Sequence, residues 1–370
     1  MFSLKSVEHR IKAAFFGLFK RFLKRKRGKF TPLDGSRLKK VLFLRPEKIG
    51  DMVISLPVFD GLRAHFPHIK ISVLASPRND AIIIRDPRFD RIFLYRKNLF
   101  KDIREMLAIR RERFDCVVDM ICDDSVTALF LSQLAAPGKP RIGVGKVKFR
   151  EYYDFNYDHR MDNTGHIIEN TLRLLEAFGI DSTAVSGYAP PFIDDSARQR
   201  AGRVVSAMSC GAGELLIGYN LSAGSQSRIW AENKSRQLIS GLLAHSDAVN
   251  VILFAVGDDR LRAARLQGHF QQRVQLVPPG LSLTEAAAII GRTHLLISPD
   301  TSLVHIARAM RVPVVGLYSR FMKNFLLWRP YDQEVGAVVS GNDYNIFDIS
   351  VSDVLTAFEQ VVSRMVAVKP

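Results

Sequence analysis

Apolar positions along the chain fall into short, mostly apolar runs separated by longer stretches with helical spacing. Runs at 40–45, 69–75, 91–95, 114–120 and 141–144 read as strands. Between them, 51–65, 99–111, 124–135 and 163–178 carry the three-and-four spacing of amphipathic helices. The strand runs do not alternate with polar residues, as expected of strands buried on both faces of a parallel sheet. The pattern lapses over 181–200, where Pro190 and Pro191 stand together, and then resumes. Strands are expected at 215–221, 250–255, 274–277, 294–297 and 312–318, and helices at 233–244, 260–268, 284–291 and after Asp300. The tail 350–366 reads as a helix capped by Ser350 or Ser352. Alternation of this kind predicts an α/β chain of two lobes. The first is expected over 39–190 and the second over 200–345, with a C-terminal helical segment over 346–370.

The first thirty residues follow another rule. Leu4, Val7, Ile11, Phe15, Leu18 and Phe22 make one helical face, and Lys5, Lys12, Lys20, Arg21 and Lys24 lie mostly off it. The run Lys24-Arg25-Lys26-Arg27 then follows, the reverse of the order in a signal peptide. The apolar stretch is too short and too charged to span a bilayer. An amphipathic helix over 1–30 lying on an anionic cytoplasmic leaflet is expected, ahead of a helix packed on the body, with nucleic acid third.

Charge sharpens this. Residues 1–30 hold ten of the basic residues against Glu8 alone, more than half of the formal +16. A nucleic-acid binder would spread that charge more widely. A length of 370 residues with 47% hydrophobic and 24% charged residues suits two ordinary globular lobes. Cys116, Cys122 and Cys210 have no metal-site spacing and suit a reducing compartment.

Four loops at strand ends could carry chemistry. In the turn from Arg45 to Asp51, Gly50 permits a tight path and Lys48 could bind an anion. Asp51 there reads either as a helix cap, which composition alone favours, or as a general base. The loop 222–230 holds Ser225 and Arg228, and reads either as a phosphate cradle or as a solvated loop anchored by Trp230. In 298–305, Thr301 and Ser302 near a helix start could seat a pyrophosphate, and His305 one turn in reads more readily as a packed histidine. Asp258 and Asp259 could accept from ribose hydroxyls or simply start a helix. The segments 143–146 and 210–213 do not meet the phosphate-loop or dinucleotide patterns, and Ser282 to Glu285 is a capping box.

Taken together, VLFLRPEKIGD, SLPVFDGLRAHFP, HIIENTLRLLEAFGI, IGYNLSAGSQSRIW and SLTEAAAIIGRTHLLISPDTSLVHIARAMRVPVVGLYS resemble the ADP-heptose:lipopolysaccharide heptosyltransferases, glycosyltransferase family 9. The resemblance runs from about Lys39 to Phe358. It implies a GT-B fold, two Rossmann-like lobes with a deep cleft between them that holds the active site. It further implies an inverting transfer of heptose from ADP-heptose to a lipopolysaccharide core acceptor. In that case Asp51 matches the general base, and Lys48 would lie on the acceptor side. Arg228, Asp300, Thr301, Ser302 and His305 match donor-contacting positions, with Ser225 beside them and Asp258 or Asp259 at the ribose acid. No cofactor or metal is expected, the partners being the nucleotide sugar, the core acceptor and an anionic inner-leaflet surface on the cytoplasmic side. Ser302 stands where the family often has Gly, and Asp119-Met120-Ile121-Cys122 where it often has D-L-Q-G, which leaves the acceptor open. The alternatives are another nucleotide-sugar donor on the same fold, or a non-catalytic protein of the membrane surface.

Overall fold

The computed structural model describes residues 30–158, 165–208 and 214–367. The helix expected over 1–30 falls, Phe30 apart, outside the described residues, as does Cys210. The chain divides into two compact units. The first takes the chain up to Lys48, with Pro57–Asp80 and Pro87–Gly187; the second takes Ile49–Leu56, Ala81–Asp86 and everything from Tyr188 onward.

The first unit is built on β1 (Lys40–Leu44), β2 (Lys70–Ala75), β3 (Arg91–Leu94), β4 (Cys116–Asp119), β5 (Arg141–Val144) and β6 (Phe155–Tyr157). These pair in parallel in the order β3-β2-β1-β4-β5-β6, the doubly wound arrangement. The helical pattern of 51–65 splits into α1 (Ile49–Val53) and α2 (Leu56–His65). Pro57 explains the break, because it has no N–H to give to the preceding turn. The other helices of this stretch are α3 (Leu99–Arg111), α4 (Val126–Ala135) and α5 (Ile167–Leu172). The helix expected over 163–178 continues only as a 3-10 segment, Arg173–Phe178, ended by Gly179 at φ 72°. Leu42, Leu44, Phe93, Ile109, Phe114 and Leu131 pack into one buried cluster on this sheet.

The second unit repeats the plan with β7 (Leu215–Asn220), β8 (Val249–Phe254), β9 (Val274–Leu276), β10 (Leu295–Pro299), β11 (Val314–Tyr318) and β12 (Ala337–Val339). Its parallel order, β12-β11-β10-β7-β8-β9, is the same winding. Its helices are α6 (Asp195–Ser206), α7 (Glu232–His245), α8 (Asp259–Phe270), α9 (Leu283–Ile290), α10 (Ser302–Ala309), α11 (Met322–Trp328) and α12 (Val351–Ala367). Trp230 is buried and donates from Nε1 to the carbonyl of Ile349 at 3.1 Å, so it does anchor its loop to the core. The Ser350 hydroxyl accepts from Asp353 N–H at 3.1 Å and caps α12.

Helix α6 arises inside the stretch where periodicity lapses. It buries only Ala197 and Ala201, so its inward face is too small to show as an apolar stripe. Among the described residues no helix is long and apolar enough to cross a membrane.

Candidate active site

The loops that follow β7, β8 and β10 gather at one end of the second sheet. Register does the gathering: Ile297 of β10 pairs with Tyr219 of β7, so Ser298 comes level with Asn220. The Asn220 amide then donates to the Ser298 hydroxyl at 3.0 Å and to the Thr301 hydroxyl at 3.2 Å. Its carbonyl oxygen accepts from Ser222 N–H at 3.1 Å. Ser222 in turn accepts from Val256 N–H at 3.0 Å, tying the third loop to the first. Asn220 and Ser298 are buried, and the sequence reading gave neither a role: Asn220 sits inside an apolar run, and Ser298 opens the loop 298–305 ahead of the residues singled out there.

Thr301 caps α10, its hydroxyl accepting from Leu303 N–H at 3.3 Å. The first turn of α10 thereby presents backbone N–H groups and the positive end of a helix dipole. The far end of α10 is fixed by Arg308, which is buried and donates to the carbonyls of Tyr331 at 2.8 Å and Val312 at 3.2 Å.

A cavity of about 560 Å³ opens against this turn. Its lining combines small and polar residues, Ser222, Ala223, Gly224, Thr301 and Ser302, with apolar ones, Val256, Val277, Leu281 and Leu283. Ile49 of α1 completes the wall. Apolar walls together with a dipole-positive helix start suit a ligand with a flat base and an anionic tail. Arg260 also lines the cavity and is held by the carbonyl of Val277, to which it donates at 3.0 Å. Sequence reasoning singled out Asp258 and Asp259 on this loop instead. Asp258 is exposed, and Asp259 starts α8 and pairs with Arg262 at 3.5 Å.

Arg228 reaches Asp300 twice from Nη1, donating to its backbone carbonyl at 3.0 Å and pairing with its carboxylate at 3.0 Å. The pair is partly open to solvent, at 37% and 22% side-chain exposure, so the guanidinium can turn to an incoming anion. Ser225 begins the short turn that carries Arg228, accepting from Arg228 N–H through its carbonyl at 3.1 Å, while its hydroxyl meets that of Ser227 at 2.9 Å.

His305 is buried one turn into α10, edge-on to Trp328 at 5.5 Å between ring centres. Burial pushes its pKa below the ordinary 6.5, with the charges of Asp300 and Asp51 opposing. Asp51 is thus electrostatically coupled to the same cluster. It lies in the first turn of α1, half-buried, and its carbonyl accepts from the Ser55 hydroxyl at 2.7 Å. Helix α1 approaches α10 closely at Gly50, where an added Cβ would stand 3.0 Å from His305 Cδ2 and 3.7 Å from Ser302 Cα. Glycine at 50 is therefore a packing requirement that lets the Asp51 helix lie against the start of α10.

Behind Asp300, Tyr318 is buried over Gly316, whose missing Cβ leaves room for the ring. Its hydroxyl has no hydrogen-bond partner among the described residues. Burial first, and the Asp300 charge second, raise its pKa well above the ordinary 10, with Arg228 opposing. Nothing in the sequence marked it out from its apolar strand.

In the first unit, the turn after β1 is stapled from below. Asn79 donates to the carbonyls of Arg45 at 2.7 Å and Lys48 at 3.4 Å, and the Ser76 hydroxyl donates to that of Glu47 at 2.9 Å. The Lys48 side chain is exposed. Asp119 ends β4 fully buried, paired with Lys146 at 2.8 Å and accepting from the Tyr153 hydroxyl at 2.6 Å. Lys146 also donates to the carbonyls of Ile121 at 2.5 Å and Asp123 at 2.9 Å, so the segment that departs from the family pattern is clamped. Among the described residues no group of three or more His, Cys, Asp or Glu side chains is placed to hold a metal ion.

Comparison with known proteins bears on this geometry. The family model for "Glycosyltransferase family 9 (heptosyltransferase)" matches residues 104–354. Lipopolysaccharide heptosyltransferase 3 of Escherichia coli is 23% identical over 304 residues, covering 77% of this chain and 84% of that protein. A glycosyltransferase family 9 structure from Veillonella parvula aligns with a TM-score of 0.72 at 19% identity, covering 91% of this chain and 100% of that one. The E. coli heptosyltransferase WaaC with ADP aligns with a TM-score of 0.66 at 18% identity, covering 88% and 98%. These structures share with the present chain the two doubly wound parallel sheets of the GT-B fold.

Proposed function

The chain belongs to glycosyltransferase family 9, the heptosyltransferase family, and from that premise we propose that it transfers heptose from ADP-heptose to a lipopolysaccharide core acceptor at the cytoplasmic face of the inner membrane. One observation carries the donor half of this reading. The second unit places apolar walls and a capped helix start around one cavity, and the partly exposed Arg228 is held on Asp300, the residue just before the Thr301 cap. A nucleoside diphosphate offers the matching chemistry, a flat base for the apolar walls and an anionic diphosphate for the helix start. The solved relative with ADP bound is a fitting precedent, as is the curated relative that acts on lipopolysaccharide.

The chemistry then distributes over named groups. Asp51 takes the proton from the acceptor hydroxyl as that oxygen bonds to the anomeric carbon. The bond from that carbon to the diphosphate breaks, and ADP leaves with the electron pair, its charge met by Arg228 and the start of α10. Attack opposite the leaving group inverts the anomeric centre. Thr301 and Ser302 hold the diphosphate, Asp300 faces the sugar, and neutral His305 packs beneath them. Lys48 lies on the acceptor side. The reaction runs without a metal, because cationic and dipolar groups meet the leaving charge.

A second reading keeps every step and changes the donor. The cavity walls carry no feature that distinguishes one base by an obvious pattern, so a UDP- or GDP-sugar is the competing substrate. Calorimetric titration with ADP-heptose, UDP-sugars and GDP-sugars decides between them. Selective binding of ADP-heptose is expected, and preference for another donor would overturn the substrate assignment. In a transfer assay containing EDTA, Asp51→Ala is expected to abolish turnover while ADP binding stays within about threefold. Turnover retained by Asp51→Ala would remove Asp51 from the base role, and loss of wild-type turnover in EDTA would refute the metal-free step.

A further inference from the structure

Helix α3 of the first unit turns an apolar stripe outward. Phe100 is 84% exposed, Ile103 50% and Leu107 52%, at spacings of three and four that place them on one face. The opposite face is the one packed on the sheet, through Ile109. Such a stripe on a surface helix is costly unless something covers it.

Charge around the stripe identifies what does. The acidic residues of the helix are engaged inward. Asp102 accepts from the N–H groups of Arg96 and Asn98, both at 2.8 Å. Glu105 accepts from Leu94 N–H at 2.9 Å, and Glu112 just beyond the helix pairs with Lys40 at 2.7 Å and with Arg91. Lys101, Arg104, Arg110 and Arg111 are exposed, and by helical spacing Arg104, Arg110 and Arg111 border the apolar stripe. An apolar ridge bordered by cations, with its anions turned away, complements a surface that is apolar within and anionic outside. The strongly basic segment 1–29 of this chain, and a second copy of the same face, both oppose it in charge.

We propose that the outer face of α3 docks the protein on an anionic lipid bilayer, with Phe100, Ile103 and Leu107 entering the acyl boundary and the flanking arginines on the headgroups. This rests on the reading that the acceptor sits at a membrane surface, and it assigns part of that contact to the first unit rather than to the basic N-terminal segment alone.

The test is co-sedimentation of the full chain with phosphatidylethanolamine/phosphatidylglycerol vesicles, with phosphatidylcholine vesicles as control. Phe100→Ser/Leu107→Ser is expected to lower partitioning by about tenfold or more. Arg104→Gln/Arg111→Gln is expected to lower it by a similar factor, and to flatten its dependence on salt. Circular dichroism melts and ADP titrations of both variants should match the parent, so failure of docking and failure of the donor reading are seen separately. Partitioning equal to the parent in both variants would overturn the proposal. So would a shift from dimer to monomer without loss of vesicle binding, which would assign the face to a second copy. Complete loss of binding on changing Lys24, Arg25, Lys26 and Arg27 to Gln, with no effect of the α3 variants, would assign docking to the N-terminal segment and likewise overturn it.

Discussion

Asp300→Asn removes one negative charge beside the proposed diphosphate seat and leaves almost everything else in place. Arg228 keeps its 3.0 Å bond to the backbone carbonyl of residue 300, which the substitution does not touch. A separation of roughly 6 Å between the carboxylate and a bound phosphate is taken to set the scale of their Coulomb interaction. At an effective dielectric of about 40, between bulk water and the protein surface, two like charges there repel by about 1.4 kcal/mol. Counter-ions screen part of that at physiological salt. ADP should therefore bind about three- to tenfold more tightly to Asp300→Asn than to the parent.

Arg228→Ala acts in the opposite sense. It removes a charge-assisted hydrogen bond to the diphosphate, worth about 1.5–3 kcal/mol, so ADP affinity should fall by about ten- to a hundredfold. Stability should move little in either variant, because the pair is 37% and 22% exposed and such pairs contribute about 1 kcal/mol or less. Calorimetric titration with ADP, beside thermal melts, reads both quantities. Transfer by Asp300→Asn should fall although ADP binds better, because its carboxylate is assigned to the sugar. Weaker ADP binding by Asp300→Asn, or unchanged ADP binding by Arg228→Ala, would refute the placement of the diphosphate.

Two further outcomes follow from the buried ionisable groups. Lys146→Met strands the Asp119 carboxylate in a site where both side chains are fully buried, and should destabilise the first unit by about 3–5 kcal/mol, read as a lower urea midpoint. A change below about 1 kcal/mol would mean that Tyr153 alone satisfies Asp119. His305 has a folded-state pKa held below the ordinary 6.5 by burial, so the unfolded chain takes up a proton that the folded chain refuses. Stability is then fully present above pH 6.5 and falls as the pH drops from there toward the folded-state pKa. His305→Gln should flatten that part of the urea-midpoint profile, and an unchanged slope would refute a buried neutral histidine.

The strands were legible because parallel sheets bury both faces, which leaves unbroken apolar runs. What escaped was structure without that signature. Strands β6 and β12 are three residues each at sheet edges, and α6 buries only two alanines. The helix read through 51–65 ignored Pro57, although its missing N–H is a local fact that the pattern of apolar residues does not record. The expected boundary at 181–200 contains the break at Gly187, but no linear reading could assign Ile49–Leu56 to the second unit.

That last assignment bears most on function. Asp51 was singled out from a turn that follows the first strand, yet its helix packs within the second unit, close to His305 and the start of α10. The loops bearing Arg228 and Thr301 were legible because small polar residues after a strand are visible in one dimension. Their supports were not. Asn220, Ser298 and Tyr318 look like polar interruptions at the ends of apolar strands until register brings Tyr219 level with Ile297. The same holds for Arg260, which looks like a surface residue of an ordinary helix and instead lines the cavity beyond the two aspartates that drew attention. Residues that touch a ligand tend to announce themselves by type. Residues that hold them in place are selected by distance, and distance here is set by the pairing of β7 with β10 and by the absence of a side chain at Gly50.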